Sequence, residues 1–207
     1  MKNFFFIRHG QIAEEYKKVF YGQLDIPLSK EGELLSKETV LELSQIPIKA
    51  VFSSPLKRAL YSAELLAKER EIPLFIREEL KEINYGEWTG KPRELIYKEA
   101  LFWERLKKDY LAPPKGESIR DLRNRARSFW DYLKEIEPGN YVIFTHGGFI
   151  RALICEILNL SSELFFAFEV YHLKVNFITL YEDGLFVFKG INLDPSHLIS
   201  LLNISYW

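Results

Sequence analysis

The sequence predicts a three-layer α/β sandwich, a mostly parallel central sheet covered by helices on both faces, with a small helical cap. Two observations carry that expectation. Short runs of aromatic and β-branched residues alternate with longer helical stretches along most of the chain. Two of the runs, Phe4 to Ile7 and Tyr141 to Phe144, are apolar throughout and too short for buried helices, which makes them central strands. A chain of 207 residues can bury about 70% of its unfolded surface, enough for one large core. The whole of 1–207 is therefore read as a single domain, with a cap insertion at about 91–115.

In chain order, the first strand spans about 3–7 and runs into Arg8-His9-Gly10. A helix follows at about 30–44. The stretch Val51 to Ala59 reads as strand (49–53), turn and helix (55–69), placing Arg58 in the first helical turn. A short strand at 73–76 leads into a polar, aromatic loop, Leu80 to Gly90, with two glycines. The helical segment at about 91–109 carries Tyr97, Phe102 and Trp103, with Tyr110 just beyond it; these aromatics are expected to pack a helical hairpin onto the body. Pro113-Pro114 is the clearest internal breakpoint, followed by a helix at 117–136. A strand at 140–145 and a helix at 147–158 come next, then strands at 172–181 and 185–190 joined by an Asp183-Gly184 hairpin at one sheet edge. The segment 192–207 is too apolar for a free tail and is expected to pack on its own body or on a second subunit, so a homodimer is a candidate assembly.

Composition narrows the partners. With 28 basic and 29 acidic residues the net charge is −1, so no global field favours nucleic acid. The pairs Lys17-Lys18 and Lys107-Lys108 read as solvated faces. The one cysteine, Cys155, excludes an internal disulfide and reads as a buried helix residue. The apolar run after Lys2 is too short for a signal-peptide core or a membrane span, giving the expectation of a cytoplasmic protein with no membrane partner.

The chemistry gathers at strand ends. His9 and His146 each follow a predicted central strand, and in open α/β sheets ligands collect beyond the carboxyl ends of such strands. A cation near a helix N-terminus opposes the macrodipole, so Arg58 needs an anion to share with the helix amides. Glu82 and Glu87, in the loop after the third strand, offer acids. Together these residues point to phosphate chemistry without a metal.

In order, Arg8-His9-Gly10, Ser53-Ser54-Pro55-Leu56-Lys57-Arg58-Ala59, Glu82 to Gly86 and His146-Gly147-Gly148 resemble the motifs of the histidine phosphatase superfamily, which includes cofactor-dependent phosphoglycerate mutases and many small phosphatases. The resemblance runs from about Phe4 to about Leu158. It takes in Tyr21 to Ser29 with Gly32, similar to the family's loop into its first helix, and Gly116-Glu117-Ser118, similar to the entry to a later one.

The resemblance implies that His9 is the nucleophile, that Arg8, Arg58 and His146 clamp the phosphate, and that Glu82 donates a proton to the leaving group, with Glu87 as the second choice. Gln11, Tyr21, Gly22, Gln23 and Gly147 complete the expected substrate contacts. A neutral imidazole is nucleophilic near pH 7, and phosphoryl transfer asks the protein mainly for positioning and fixed positive charge. Glu82 has to be protonated in the first step and act as base toward water in the second. With fixed cations and no aspartate cluster, no metal and no cofactor are expected.

The sequence departs from the family after Gly10, where Gln11, Ile12 and Glu15 replace the usual acid, hydroxyl and amide. Glu15 would repel phosphate unless it turns away. The short spacing from Glu82 to Gly116 favours a phosphatase over a mutase. Phe20 to Leu28 with Gly86-Glu87-Trp88 looks most like the α-ribazole phosphate phosphatases of cobalamin synthesis, and metal-independent phosphoserine phosphatases share much of this pattern. Phe20 and Tyr21 are expected to touch an apolar part of a small phosphorylated metabolite. The alternatives are a mutase or a non-catalytic regulatory subunit of the same fold. His172 and His197 match no motif and are assigned no chemistry.

Overall fold

A computed structural model describes residues 1–202. Its centre is a six-stranded sheet built from β1 (Lys2–Arg8), β2 (Ala50–Ser53), β3 (Leu74–Ile76), β4 (Gly139–Thr145), β5 (Val175–Leu180) and β6 (Phe186–Leu193), in the order β3-β2-β4-β1-β5-β6. The first four strands are mutually parallel, and β5 and β6 add antiparallel at one side. Phe4 to Ile7 are completely buried, because β1 has a strand on each side and a hydrophobic layer on each face.

Alternation along β1 separates those layers. Phe4 and Phe6 point into a cluster with α5 (Ile119–Glu135) and α6 (Gly147–Ile157); Phe5 and Ile7 point into another with α1 (Lys30–Leu43) and α2 (Lys57–Arg70). Burying each phenylalanine is worth about 1.5–3 kcal/mol. Ser29 caps α1 by accepting from Gly32 N at 3.0 Å, and Ser118 and Asp121 form a reciprocal capping box that starts α5.

Three expectations are corrected. The helical stretch at 91–109 is interrupted, giving α3 (Arg93–Ile96) and α4 (Ala100–Lys107), because Glu99 turns extended and its carboxylate accepts from the buried Trp88 indole at 3.0 Å. The strand expected from 172 begins at Val175, after a turn at Leu173 with φ of +59°. The last strand runs to Leu193, three residues further than expected. The Asp183-Gly184 hairpin is present at the sheet edge, with Gly184 at φ +86° and Asp183 accepting from Leu185 N.

The cap has its own small core of Phe20, Trp88, Ile96 and Phe102. The C-terminal segment packs on its own body: Leu198 in α7 (Leu198–Leu202) is fully buried beside α1 and α2, with Leu201 and Leu202 against the same cluster. Ile204, Tyr206 and Trp207, also expected to pack, lie outside the described residues. Among the described residues no helix is long and apolar enough to cross a membrane.

Candidate active site

Three parallel strands deliver the motif residues side by side. His9 follows β1, His146 follows β4, and Ser54 follows β2; His9 N donates to Thr145 O at 3.0 Å and Ser54 N to Phe144 O at 3.0 Å. The helices after β1 and β4 pack on opposite faces of the sheet, so a crevice opens between the strand ends. The His9 and His146 rings lie 5.1 Å apart, and both are fully buried.

Hydrogen bonding fixes the His9 tautomer. Its Nδ1 is 2.7 Å from the Gly10 carbonyl, which only accepts, so Nδ1 carries the proton and Nε2 the lone pair. Arg58 Nε donates to that Nε2 at 3.3 Å. Burial, then the charges of Arg58, His146, His172 and Arg8, holds the His9 imidazole well below its ordinary value of 6.5, so the ring is neutral at pH 7.

Arg58 lies in the first turn of α2 with no exposed surface, as the macrodipole argument requires of a cation with a purpose. Its NH1 and NH2 donate to Leu24 O at 2.7 Å and Gly22 O at 2.6 Å, and its guanidinium stands 5.1 Å from the Tyr21 ring centre. Gly22, at φ +40°, allows its carbonyl to be turned to the guanidinium.

In the crevice itself, two buried nitrogens are left over among the described residues, on Arg8 and His146. Arg8 NH1 donates to Val170 O at 2.8 Å, while its Nε has no partner. Ser54 Oγ accepts from Leu56 N at 3.3 Å and lies 2.8 Å from His146 Nε2. When the Ser54 hydroxyl gives its proton to Nε2, His146 Nδ1 is the N–H of the ring, and that nitrogen is unpartnered. Burial first, then Arg58 and Arg8, keeps His146 neutral as well. Orphan buried N–H groups are costly, and these two suit the oxygens of an anion.

Glu82 reaches the same crevice from the loop after β3. Its Oε1 accepts from Ile83 N at 2.9 Å and its Oε2 from Gly148 N at 3.1 Å, at the start of α6. A Cβ on Gly148 would coincide with the Glu82 carboxylate, so the second glycine of His-Gly-Gly is there to admit this acid. Arg125 of α5 holds the loop by donating to the carbonyls of Glu79, Lys81 and Glu82, and Glu117 grips Arg125 through both carboxylate oxygens. Glu87 is outside the site, half-exposed in an ion pair with Lys115.

Above the buried residues lies a cavity of about 310 Å³ with Arg8, Glu82, Gly147 and Gly148 at its base. Phe20, Tyr21, Tyr97, Phe102 and Phe166 form aromatic walls, with Arg93, Arg151 and Glu169 among them. A larger hollow of about 770 Å³ opens at the opposite end of the sheet, between Lys2, Trp130 and Phe186. It holds no motif residue, and the chemistry assigns the site to the smaller one.

The hydrogen bonds that Gln11 and Gln23 make run to neighbouring backbone. Gln23 donates to the Glu82 carbonyl at 2.8 Å, bracing the acid's loop. Gln11 acts through its backbone, whose carbonyl accepts from Ser29 N at 2.9 Å, and no hydrogen bond ties its side chain to the site. Ile12 is a packing residue, buried with Tyr21 and Ile26, and Glu15 points to solvent from the 14–16 turn, so neither acts on the phosphate site.

His172 was missed. Its Nδ1 lies 2.6 Å from His9 O, and burial followed by the Arg8 charge lowers its pKa to about 4. Among the described residues no three His, Cys, Asp or Glu side chains are grouped as a metal ion needs, and the ring nitrogens of His9 are already committed to Gly10 and Arg58.

The family model of the histidine phosphatase superfamily (branch 1) matches residues 4–194. The chain belongs to that superfamily. It is an enzyme, a phosphoric monoester hydrolase. Like other members it can be compared directly: it is 29% identical over 201 residues to the 2,3-bisphosphoglycerate-dependent phosphoglycerate mutase of Chlamydia muridarum, covering 79% of this chain and 87% of that one. A phosphoserine phosphatase variant from Entamoeba histolytica, solved with phosphoserine, superposes with a TM-score of 0.81 at 25% identity over 96% of this chain and 100% of that one. The α-ribazole phosphatase of Shigella flexneri shares the fold, with a TM-score of 0.80 at 24% identity over 92% and 96% of the two chains.

Proposed function

We propose that this histidine phosphatase hydrolyses a small phosphorylated metabolite through a phosphohistidine on His9, without a metal ion. The observation that carries the reading is the committed Nδ1–H of His9, which leaves a buried, neutral Nε2 facing Arg58. The substrate phosphate takes over the Arg58 Nε–H and meets the unpartnered N–H groups of Arg8 and His146. Nε2 then attacks phosphorus, the bond to the ester oxygen breaks, and the Glu82 carboxyl gives that oxygen its proton. In the second step the Glu82 carboxylate takes a proton from water, the water oxygen attacks phosphorus, and the P–N bond breaks to release phosphate and His9. The guanidinium groups of Arg8 and Arg58 supply the positive charge that balances the equatorial oxygens.

The aromatic walls favour a leaving group with a planar apolar part, which supports α-ribazole 5′-phosphate, the substrate class of the Shigella flexneri neighbour. Arg93 and Glu169 put opposite charges on the same cavity, and this favours phosphoserine as the second reading, with a carboxylate and an ammonium to recognise. The test is steady-state phosphate release, with EDTA present, from α-ribazole 5′-phosphate, phosphoserine, 3-phosphoglycerate and p-nitrophenyl phosphate. Preference for α-ribazole 5′-phosphate is expected. Preference for phosphoserine selects the second reading, isomerisation of 3-phosphoglycerate selects a mutase, and silence of folded protein on all four overturns the catalytic reading.

A further inference from the structure

We infer that His172, which belongs to none of the four motifs, is a positioning residue for His9: its Nδ1–H pins the His9 carbonyl while its ring packs against the His9 imidazole. The inference rests on the reading of His9 as nucleophile. His172 Nδ1 lies 2.6 Å from His9 O, and since a carbonyl only accepts, Nδ1 is the protonated nitrogen. The two ring centres are 5.3 Å apart with planes inclined at 59°.

Taken together, the bonds to His9 leave one polar atom for reaction. Its N donates to Thr145 O, its O accepts from His172, and its Nδ1 donates to Gly10 O. Backbone and ring are thereby tied at three points, and Nε2 keeps a single direction toward the Arg58 side of the crevice. Reaction rates depend steeply on such placement, since a nucleophile displaced by about 1 Å can lose about a hundredfold.

The fold goes out of its way to put residue 172 there. Leu173 N donates to Arg8 O at 2.9 Å, and Arg8 and His172 form an isolated parallel bridge, although β5 runs antiparallel to β1 two residues later. That reversal needs Leu173 at φ +59°, a conformation that costs a non-glycine residue on the order of 1 kcal/mol or more. His172 is neutral across the working range, so it adds no positive charge beside Arg8 and Arg58.

Two variants divide the donor from the ring. H172F keeps a ring and loses the donor; H172N loses the ring and places an amide nitrogen where Nδ1 stands. Rapid-quench labelling with phosphate transferred from p-nitrophenyl phosphate reads the first step, and inhibition by inorganic phosphate reads binding. H172F should slow labelling by about tenfold or more, with phosphate inhibition held within about twofold, and H172N should recover to within about threefold of the parent. A residue of purely structural importance would move stability and phosphate binding along with the rate, and would not distinguish the two variants. Parental labelling in H172F, or equal loss in H172N, overturns the inference. If H172F does not fold, H172A with imidazole added to the assay replaces it: recovered labelling supports the inference and unrecovered labelling overturns it. H9A separates the two levels, because label that survives in H9A overturns the nucleophile reading itself, whereas label lost in H9A and kept at the parental rate in H172F overturns only the positioning role.

Discussion

With Nδ1 committed to the Gly10 carbonyl, His9 keeps Nε2 for chemistry, and the tautomer is set by backbone rather than by a carboxylate. Gly148 is just as particular. Its amide donates to Glu82 and its missing side chain gives the acid room, so G148A forces the carboxylate aside. That variant should fold with a loss of about 1–3 kcal/mol, as overpacked sites do, and lose at least about tenfold in kcat/KM; urea unfolding and initial rates check both, and a parental rate would dissociate Glu82 from its place. At this scale the residues carried by motifs were legible because each brings a strand end or helix start with it. His172 was not, because a lone histidine between Tyr171 and Leu173 has no local signature and its partner lies 163 residues away. The packing role of Ile12 was not legible either: judged against the family it is a lost hydroxyl, and only the fold shows that it fills an apolar knot with Tyr21 and Ile26.

Among the elements, α5 reaches into the site without contributing a reacting group. Arg125 spans from that helix to three carbonyls of the loop that carries Glu82, and Glu117 closes the grip at 2.8 and 2.9 Å. R125M leaves Glu117 without its cation and the three carbonyls without their donor. The pair is partly solvated, so a loss of about 1–3 kcal/mol is expected, below the 3–5 of a fully buried pair. Activity should fall more on an alkyl phosphate than on p-nitrophenyl phosphate, whose leaving group needs less protonation; equal losses on both would remove Arg125 from the acid's support. The alternation of strands and helices was readable from apolar runs and turn residues. The break between α3 and α4 was not, since the cause is a tertiary bond from Trp88 to Glu99 that no helical periodicity records. The late start of β5 has the same kind of origin, in the pairing of residues 172 and 173 with Arg8.

Across the whole molecule the site gathers three neutral histidines, and that makes stability depend on pH. His9 and His146 sit well below 6.5 and His172 near about 4, all chiefly because burial disfavours their charged forms. In the unfolded chain they titrate near 6.5, so acid is taken up by the unfolded state first. The sign follows: full stability above pH 6.5, falling as pH drops through 6.5 toward 4, by up to about 1.4 kcal/mol per pH unit for each histidine. Chemical denaturation at pH 7.5, 6 and 5 should show this decline, and H172N should flatten part of it. The acid limb of kcat/KM should lie below 6.5, because His9 titrates lower than a free imidazole; a limb at or above 6.5 would contradict its burial.

The order of the strands has a further consequence, for the time at which the enzyme comes into being. The strand that leads into His9 spans Lys2–Arg8, yet its neighbours in the sheet begin at residues 139 and 175. Phe4 to Ile7 therefore wait, apolar and unpaired, until β4 has been synthesised, and pairing over such separations is slow. Through that interval the unpaired strand is open to aggregation, and His9 meets His146 only when β1 and β4 have paired.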